Sequence, residues 1–408
     1  MENPPRIRFL DQTTPPHIVT LILLAGISAL AMNVFLPSLP KMTAHFETEY
    51  RLMQLSVAIY LGVNAVLQIL IGPISDKFGR RPVILWGLGL FLVATLGCIF
   101  APNVALFLAF RMCQAVIVSA MVLSRAVVRD IVPQDQAASM IGYVTMGVAV
   151  VPMVGPVIGG VLGEAFGWQA TFWLLFGLGA AIFWLSWRDL GETSVSRGLS
   201  LGQQFSEYPE LFRSPRFWGY ALSCAFSSGA FFAYLGGAPF VGSEVFGLTP
   251  AVLGFFFGAP AVGYMIGNGL SGKFSARVGI NRMILWGCIV NTGGLALALV
   301  TFAMGFQSEW TFFGYMTFVG LGNGMTIPNA TAGALSVRPH LAGTASGLAG
   351  AIMIGGGAAL SALAGALLHP GTGAWPLLWL MFSTGIASVA AILVVIRRER
   401  QLGGLGTA

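Results

Sequence analysis

The chain has 408 residues, of which 56% are hydrophobic and only 9% charged, with a mean hydropathy of +0.81 and a formal net charge of +6. A soluble domain is about one-quarter charged, so this composition excludes a water-soluble globule. Apolar runs of roughly 18 residues or more recur along the whole chain, each long enough to cross a bilayer core, and the chain is therefore read as an all-α polytopic membrane protein.

A short polar tail holding Arg6, Arg8 and Asp11 precedes a first span near 18–37. This start resembles a signal peptide only superficially. Its exit, Leu36-Pro37-Ser38-Leu39-Pro40, lacks a small-x-small cleavage site, so it is read as a retained helix. Further spans are expected near 51–72, 82–101, 104–128, 137–162 and 169–187. The second span sets Ser56, Tyr60, Asn64 and Gln68 four residues apart, on one face. A polar stripe in lipid should face a cavity or a partner helix, and Tyr60 and Asn64, near mid-membrane, are candidates for substrate contact. The fourth span carries Arg111 inside the run 110-FRMCQAVIVSAM-121, where a guanidinium costs several kcal/mol. The fifth span is rich in small residues and breakers: Gly142, Gly147, Gly155, Gly159, Gly160 and Gly163, with Pro152 and Pro156. These let backbones approach and bend, and they are expected to pack against Gly254, Gly258, Gly263 and Gly267 of the eighth span.

The segment from Arg188 to Arg216 is the longest hydrophilic stretch and lies near the chain midpoint. It divides a first half (1–190) from a second (216–408) through a linker at 191–215. Spans of the second half are expected near 216–241, 249–272, 282–304, 310–333, 341–367 and 374–396. Tyr234 and Tyr264, with Phe231, Asn323 and Asn329, are its candidates for substrate contact. An internal echo supports the division. The tetrapeptide ILWG occurs at 84–87 and again at 284–287, each time after a loop carrying Lys-Phe. Duplicated six-helix halves are the repeat plan of many secondary transporters.

Basic residues fix an orientation. With the N-terminus inside, eighteen of the 21 Lys and Arg residues fall in cytoplasmic segments, leaving Lys41, Arg51 and Arg111. The reverse arrangement would violate the positive-inside rule. Both termini are thus expected in the cytoplasm, and the positive charge reflects topology and lipid headgroups rather than a nucleic-acid partner. The four cysteines (Cys98, Cys113, Cys224, Cys288) lie in predicted spans without metal-ligand spacing, as small packing residues.

The segment Gly72-Pro73-Ile74-Ser75-Asp76-Lys77-Phe78-Gly79-Arg80-Arg81, between the second and third spans, resembles the signature loop of the major facilitator superfamily. The run 147-GVAVVPMVGPVIGG-160 resembles the fifth-helix antiporter motif of drug:proton exporters, and Arg111 with Gln114 matches their fourth-helix Arg-x-x-Gln pattern. Within that group 125-RAVVRD-130, 34-VFLPSLP-40 and 168-WQATFW-173 look most like the bicyclomycin/chloramphenicol-resistance (Bcr/CflA) subfamily. The resemblance implies twelve transmembrane helices in two pseudo-symmetric six-helix halves that rock about a central site. That site would be lined by the first, second, fourth, fifth, seventh, eighth and tenth helices. It also implies gating by Gly72, Asp76, Gly79, Arg80 and Arg81, with Arg125 and Arg129, and a mechanical role for Pro152, Gly155, Pro156 and Gly159. Asp76 would meet the N-terminal end of the eleventh helix near Leu341, and lie close to Arg125 or Arg129, when the cytoplasmic side closes. A bacterial inner-membrane location, a monomer and protons as coupling ion are implied too. One departure matters: the subfamily usually has an acid before the x-x-Leu-Pro exit of the first helix, and here that position is Asn33.

Of the 15 Asp and Glu residues, Glu47, Glu49, Glu164, Glu244 and Glu309 fall outside and the other ten in cytoplasmic segments, so none remains for the middle of a span. Arg111 therefore has no carboxylate at its own depth. It is held by helix-end carbonyls with Asn33 and Gln114, or it binds an anionic or dipolar cargo, or Glu47 or Glu49 reaches it through water. The leading function is a proton-linked exporter of small toxic compounds, neutral or zwitterionic rather than cationic. The alternative is a carrier for a small organic anion, a carboxylate or sulfonate, bound through Arg111. An intramembrane enzyme would need a nucleophile with its base or clustered metal ligands, and neither spacing occurs; no cofactor or metal is expected, and no Gly-x-x-x-x-Gly-Lys-Ser/Thr segment is present for ATP.

Overall fold

The computed structural model describes residues 8–131, 151, 154–193, 209–338 and 341–405. The first half holds α1 (Ile18–Asn33), α2 (Tyr50–Phe78), α3 (Arg80–Ile99), α4 (Val104–Gln114, continuing after a 3-10 turn as Val118–Ile131), α5 (Val154–Ala165) and α6 (Gln169–Asp189). The second holds α7 (Pro215–Phe240), α8 (Pro250–Phe256, continuing as Gly258–Val278), α9 (Ile280–Ala303), α10 (Glu309–Ser336), α11 (Ala342–Leu367) and α12 (Trp375–Leu405). Among the described residues, 10 helices are long and apolar enough to span a membrane. The two others are α5, described from Val154 onward, and α10, whose 28 residues carry Gly, Asn and Thr through the middle. All twelve expected spans are represented. Pro152, within the expected fifth span, lies outside the described residues, as do the linker residues 194–208.

The sequence echo is a structural one. Gly79 and Gly279 join α2 to α3 and α8 to α9 with nearly the same backbone, φ +94° and ψ 153° against φ +92° and ψ 149°. Only glycine takes such a left-handed conformation without strain. Each caps the helix before it, Gly79 N–H donating to Ser75 O at 2.8 Å and Gly279 N–H to Ser275 O at 2.9 Å.

Each half is closed at the end bearing the chain termini, the basic end, by one carboxylate of its last helix. In the first half Asp189 of α6 accepts from Leu10 N (2.8 Å), His17 N (2.9 Å) and Thr20 Oγ1 (2.6 Å), tying α6 to the start of α1. In the second half Glu399 of α12 accepts from Arg216 Nη2 (2.8 Å) and Tyr220 Oη (3.0 Å) of α7 and from Asn281 Nδ2 of α9. Asp189 is fully buried at this end, three donors replacing its water.

The halves meet along α2 and α11, with α7 against α2 and the start of α8 against the exit of α1. Small residues permit this. A Cβ on Gly159 of α5 would overlap the carbonyl of Val34, and one on Gly160 the carbonyl of Pro250 in the other half. Gly254 of α8 likewise faces the carbonyl of Pro156. The expected α5–α8 seam is thus made by Gly160 and Gly254. Gly263 and Gly267 instead face the Thr317 and Leu321 carbonyls of α10, within their own half, and Gly258 meets nothing within 4 Å. After its break at Phe257, α8 thus packs Gly263 and Gly267 on α10, and the part of the expected fifth span before Val154, Val151 apart, lies outside the described residues.

Candidate functional site: a buried arginine at the centre of the first half

The first helix ends where its sequence forbids continuation. Pro37 has no N–H to give the carbonyl of Asn33, and α1 stops at that residue, leaving its last carbonyls without helical partners. Arg111 uses one of them. Its Nη2 donates to Ala31 O at 2.8 Å, its Nε to Ser56 O of α2 at 3.3 Å, and its Nη1 to Gln114 Oε1 one turn on. The guanidinium carbon lies 3.9 Å from the ring centre of Tyr60 and 4.4 Å from that of Phe35. Gln114 passes the connection on, donating to Thr95 Oγ1 at 2.8 Å, which donates to Phe91 O of α3 at 2.6 Å. One side chain therefore ties α4 to α1 and α2 and, through Gln114, to α3.

Arg111 is 1% exposed and makes no ion pair among the described residues. Its charge is balanced by dipoles and π faces. Hydrogen bonds to a charged group are each worth about 1.5–3 kcal/mol, and a desolvated cation–π contact adds about 2. Together they offset a desolvation penalty of several kcal/mol. Of the three sequence readings, the one with helix-end carbonyls and Gln114 matches this geometry. Asn33 is not drawn in as expected: its Nδ2 donates back to Ala29 O at 3.0 Å, the local bond available to an amide at a helix end.

The expected stripe on α2 divides. Ser56, Tyr60 and Asn64 are buried, and Asn64 Oδ1 accepts from Gln68 Nε2 at 2.9 Å. Four of the candidate residues carry a buried polar atom with no partner among the described residues: Asn33 Oδ1, Ser56 Oγ and Tyr60 Oη in the first half, and Tyr234 Oη in the second. Buried polar groups are normally satisfied by protein, water or ligand, and these four have no protein partner among the described residues. Tyr234 sits in an aromatic nest, with ring centres of Phe257, Phe313 and Phe231 at 5.1, 6.2 and 6.3 Å. Tyr264 is half-buried on α8. Asn323 accepts from Ser227 Oγ at 2.8 Å, and Asn291 Nδ2 donates to Ser227 O at 3.2 Å, joining α10, α7 and α9. Asn329 donates to Ser271 Oγ at 2.7 Å. Both asparagines are thus engaged within their own half.

At the basic end Asp76 pairs with Arg80 at 2.5 Å, and Arg80 Nε also reaches Asp130 of α4 at 3.0 Å. The ion pair of Asp76 among the described residues is with Arg80 and not with the Leu341 end of α11. Arg125 is exposed and makes no ion pair among them, and the side chain of Arg129 lies outside them. Glu192 was missed by sequence reasoning. It accepts from Arg80 N (2.9 Å) and Arg81 N (3.3 Å), satisfying open donors at the start of α3. Arg81 Nε donates to Leu190 O at 2.8 Å, completing this corner. Gly72 meets nothing within 4 Å, and Gly155 faces Leu30 at 3.1 Å. The cysteines are free; Cys98, Cys224 and Cys288 are buried as expected, while Cys113 is exposed, on a face of α4 turned away from the core.

Comparison with known proteins completes the picture. The family model of the Major Facilitator Superfamily matches residues 21–362. A chloramphenicol resistance protein of Pseudomonas aeruginosa is 30% identical over 386 residues, covering 93% of this chain and 90% of that protein. A bicyclomycin resistance protein homolog of Haemophilus influenzae is 27% identical over 401 residues, covering 97% and 99%. Among solved structures, a bacterial homolog of the human lysosomal transporter Spinster superposes with a TM-score of 0.67 at 17% identity, over 93% of this chain and 94% of that one. This last likeness is one of fold.

Proposed function

The chain belongs to the major facilitator superfamily, and on that premise we propose that it is a proton-linked exporter of small toxic compounds that prefers neutral or zwitterionic cargo to cations. It is a secondary active transporter, not an enzyme. The observation that carries the cargo preference is the state of Arg111. Each of its three nitrogens already donates to a protein acceptor, so a carboxylate would compete with the bonds that brace it, while its field persists in a low-dielectric interior. That field opposes a cation and favours the negative end of a dipole. Tyr60, Ser56, Asn33 and Tyr234 supply the unpartnered neutral groups that cargo would satisfy. Relatives named for resistance to chloramphenicol and bicyclomycin support export of small toxic compounds. The organic-anion reading needs a guanidinium free to pair, and the engaged nitrogens weigh against it.

The basic end is assigned to the cytoplasm of a bacterial inner membrane by the positive-inside rule, with the protein acting as a monomer. Asp76 would exchange Arg80 for the N-terminal end of α11 when that end closes. Cargo and protons act through their different affinities for the two states. The test is transport in proteoliposomes under an imposed pH gradient, using an uncharged aromatic amide, a lipophilic cation and an aromatic carboxylate. The amide should move against its gradient only while the pH gradient lasts. Preference for the carboxylate, or movement indifferent to pH, would overturn the proposal.

A further inference from the structure

Gln54 stands one turn into α2, off the stripe of Ser56, Tyr60, Asn64 and Gln68, and is fully buried against the opposite half. Its Nε2 donates to Ser361 O at 2.6 Å and to Ser361 Oγ at 2.8 Å, both on α11. Two glycines form the slot it occupies. A Cβ on Gly236 of α7 would lie 2.7 Å from Gln54 Nε2, and one on Gly365 of α11 would lie 2.6 Å from Gln54 Oε1. One turn earlier Tyr50 Oη donates to Gly236 O at 2.8 Å, again across the seam. Tyr50 also lines a cavity of about 590 Å³ at the end opposite the basic one, with Phe240, Glu244, Gly365 and His369.

The slot exists only while α2, α7 and α11 stay together. Within it Gln54 Oε1 has no partner. The bonds to Ser361 hold the seam shut, while a buried acceptor without a donor is relieved as soon as water arrives. We propose that Gln54 is the latch at this end of the seam, a positioning residue for transport whose withdrawal from the Gly236–Gly365 slot opens the cavity toward the centre. The proposal rests on alternating access, but not on the identity of the cargo.

The experiment uses the full chain in proteoliposomes, with the four native cysteines replaced and Ala58→Cys, one turn deeper on α2 and buried, as reporter. A membrane-impermeant maleimide is applied from the face opposite the basic end without cargo, so the result is independent of the substrate proposal. Gln54→Ala empties the slot; Gln54→Leu fills it without hydrogen bonds. Both should raise the labelling rate per folded molecule about fivefold or more, as loss of a buried hydrogen bond at a two-state gate requires. A wild-type rate in Gln54→Leu would reduce Gln54 to a packing residue and overturn the latch. A lower yield of folded protein with an unchanged rate in both variants would overturn it too.

Discussion

The two halves share a helix plan but hold their centres together differently. In the first, Arg111 binds α1 and α2 through carbonyls and rings and α3 through Gln114 and Thr95. In the second, the corresponding helices α7, α9 and α10 are joined by the neutral set Ser227, Asn291 and Asn323. The same contrast runs through the end clasps: Asp189 is fully buried, whereas the side chain of Glu399 keeps 32% exposure beside Arg216. Among the described residues, charge is thus buried deeply in the first half alone. A buried charge is costly unless every partner is in place, so that half should be the stiffer and the less tolerant of substitution.

Arg111→Ala breaks this contrast most severely. It should abolish transport and cost about 3 kcal/mol or more, since the orphaned acceptors on Ala31, Ser56 and Gln114 remain buried. Arg111→Lys should not rescue either property, because a compact ammonium cannot match the planar fork; transport assays and thermal unfolding of the purified variants decide. The clasps come next. Asp189→Ala strands three donors and should cost about 2–3 kcal/mol, while Glu399→Ala, half-exposed, should cost about 1. Equal losses in thermal unfolding would contradict the asymmetry. Asn323→Ala removes one neutral hydrogen bond and should cost about 1 kcal/mol with insertion intact. Gly72→Ala should stay within about 0.5 kcal/mol, although the residue belongs to the signature loop, because a Cβ there meets nothing within 4 Å.

The sequence made the spans legible because lipid demands long apolar runs, and it made Arg111 legible because a lone charge in such a run is conspicuous. The partners of Arg111 were half hidden. Gln114 follows at helical spacing, but the carbonyls of Ala31 and Ser56 carry no side-chain signal. Thr95, Glu192 and Asp189 act through contacts distant in sequence, so no local periodicity announced them. One helix break was likewise silent: the 3-10 turn at Ala115–Ile117 is made of apolar residues alone. Tyr50 and Gln54, polar and four residues apart at the start of a span, were the one available sign of the latch. Glycine spacing on α8 reported close packing without naming the partner. Gly254 serves the seam, whereas Gly263 and Gly267 press on α10.

The central claim is that the first half carries an internally braced positive charge with no acid beside it, and that this charge selects the cargo. Asn33 is where an acid would change that. Its Oδ1 is buried and unpartnered, so Asn33→Asp places a carboxylate on α1 with the smallest change of shape. Counterflow in proteoliposomes, comparing an uncharged compound with a permanent cation in the wild type and in Asn33→Asp, measures the selection directly. The wild type should carry the uncharged compound and exclude the cation, and Asn33→Asp should admit the cation in a pH-dependent manner. A wild-type protein that carries the permanent cation as readily as the uncharged compound would contradict the account.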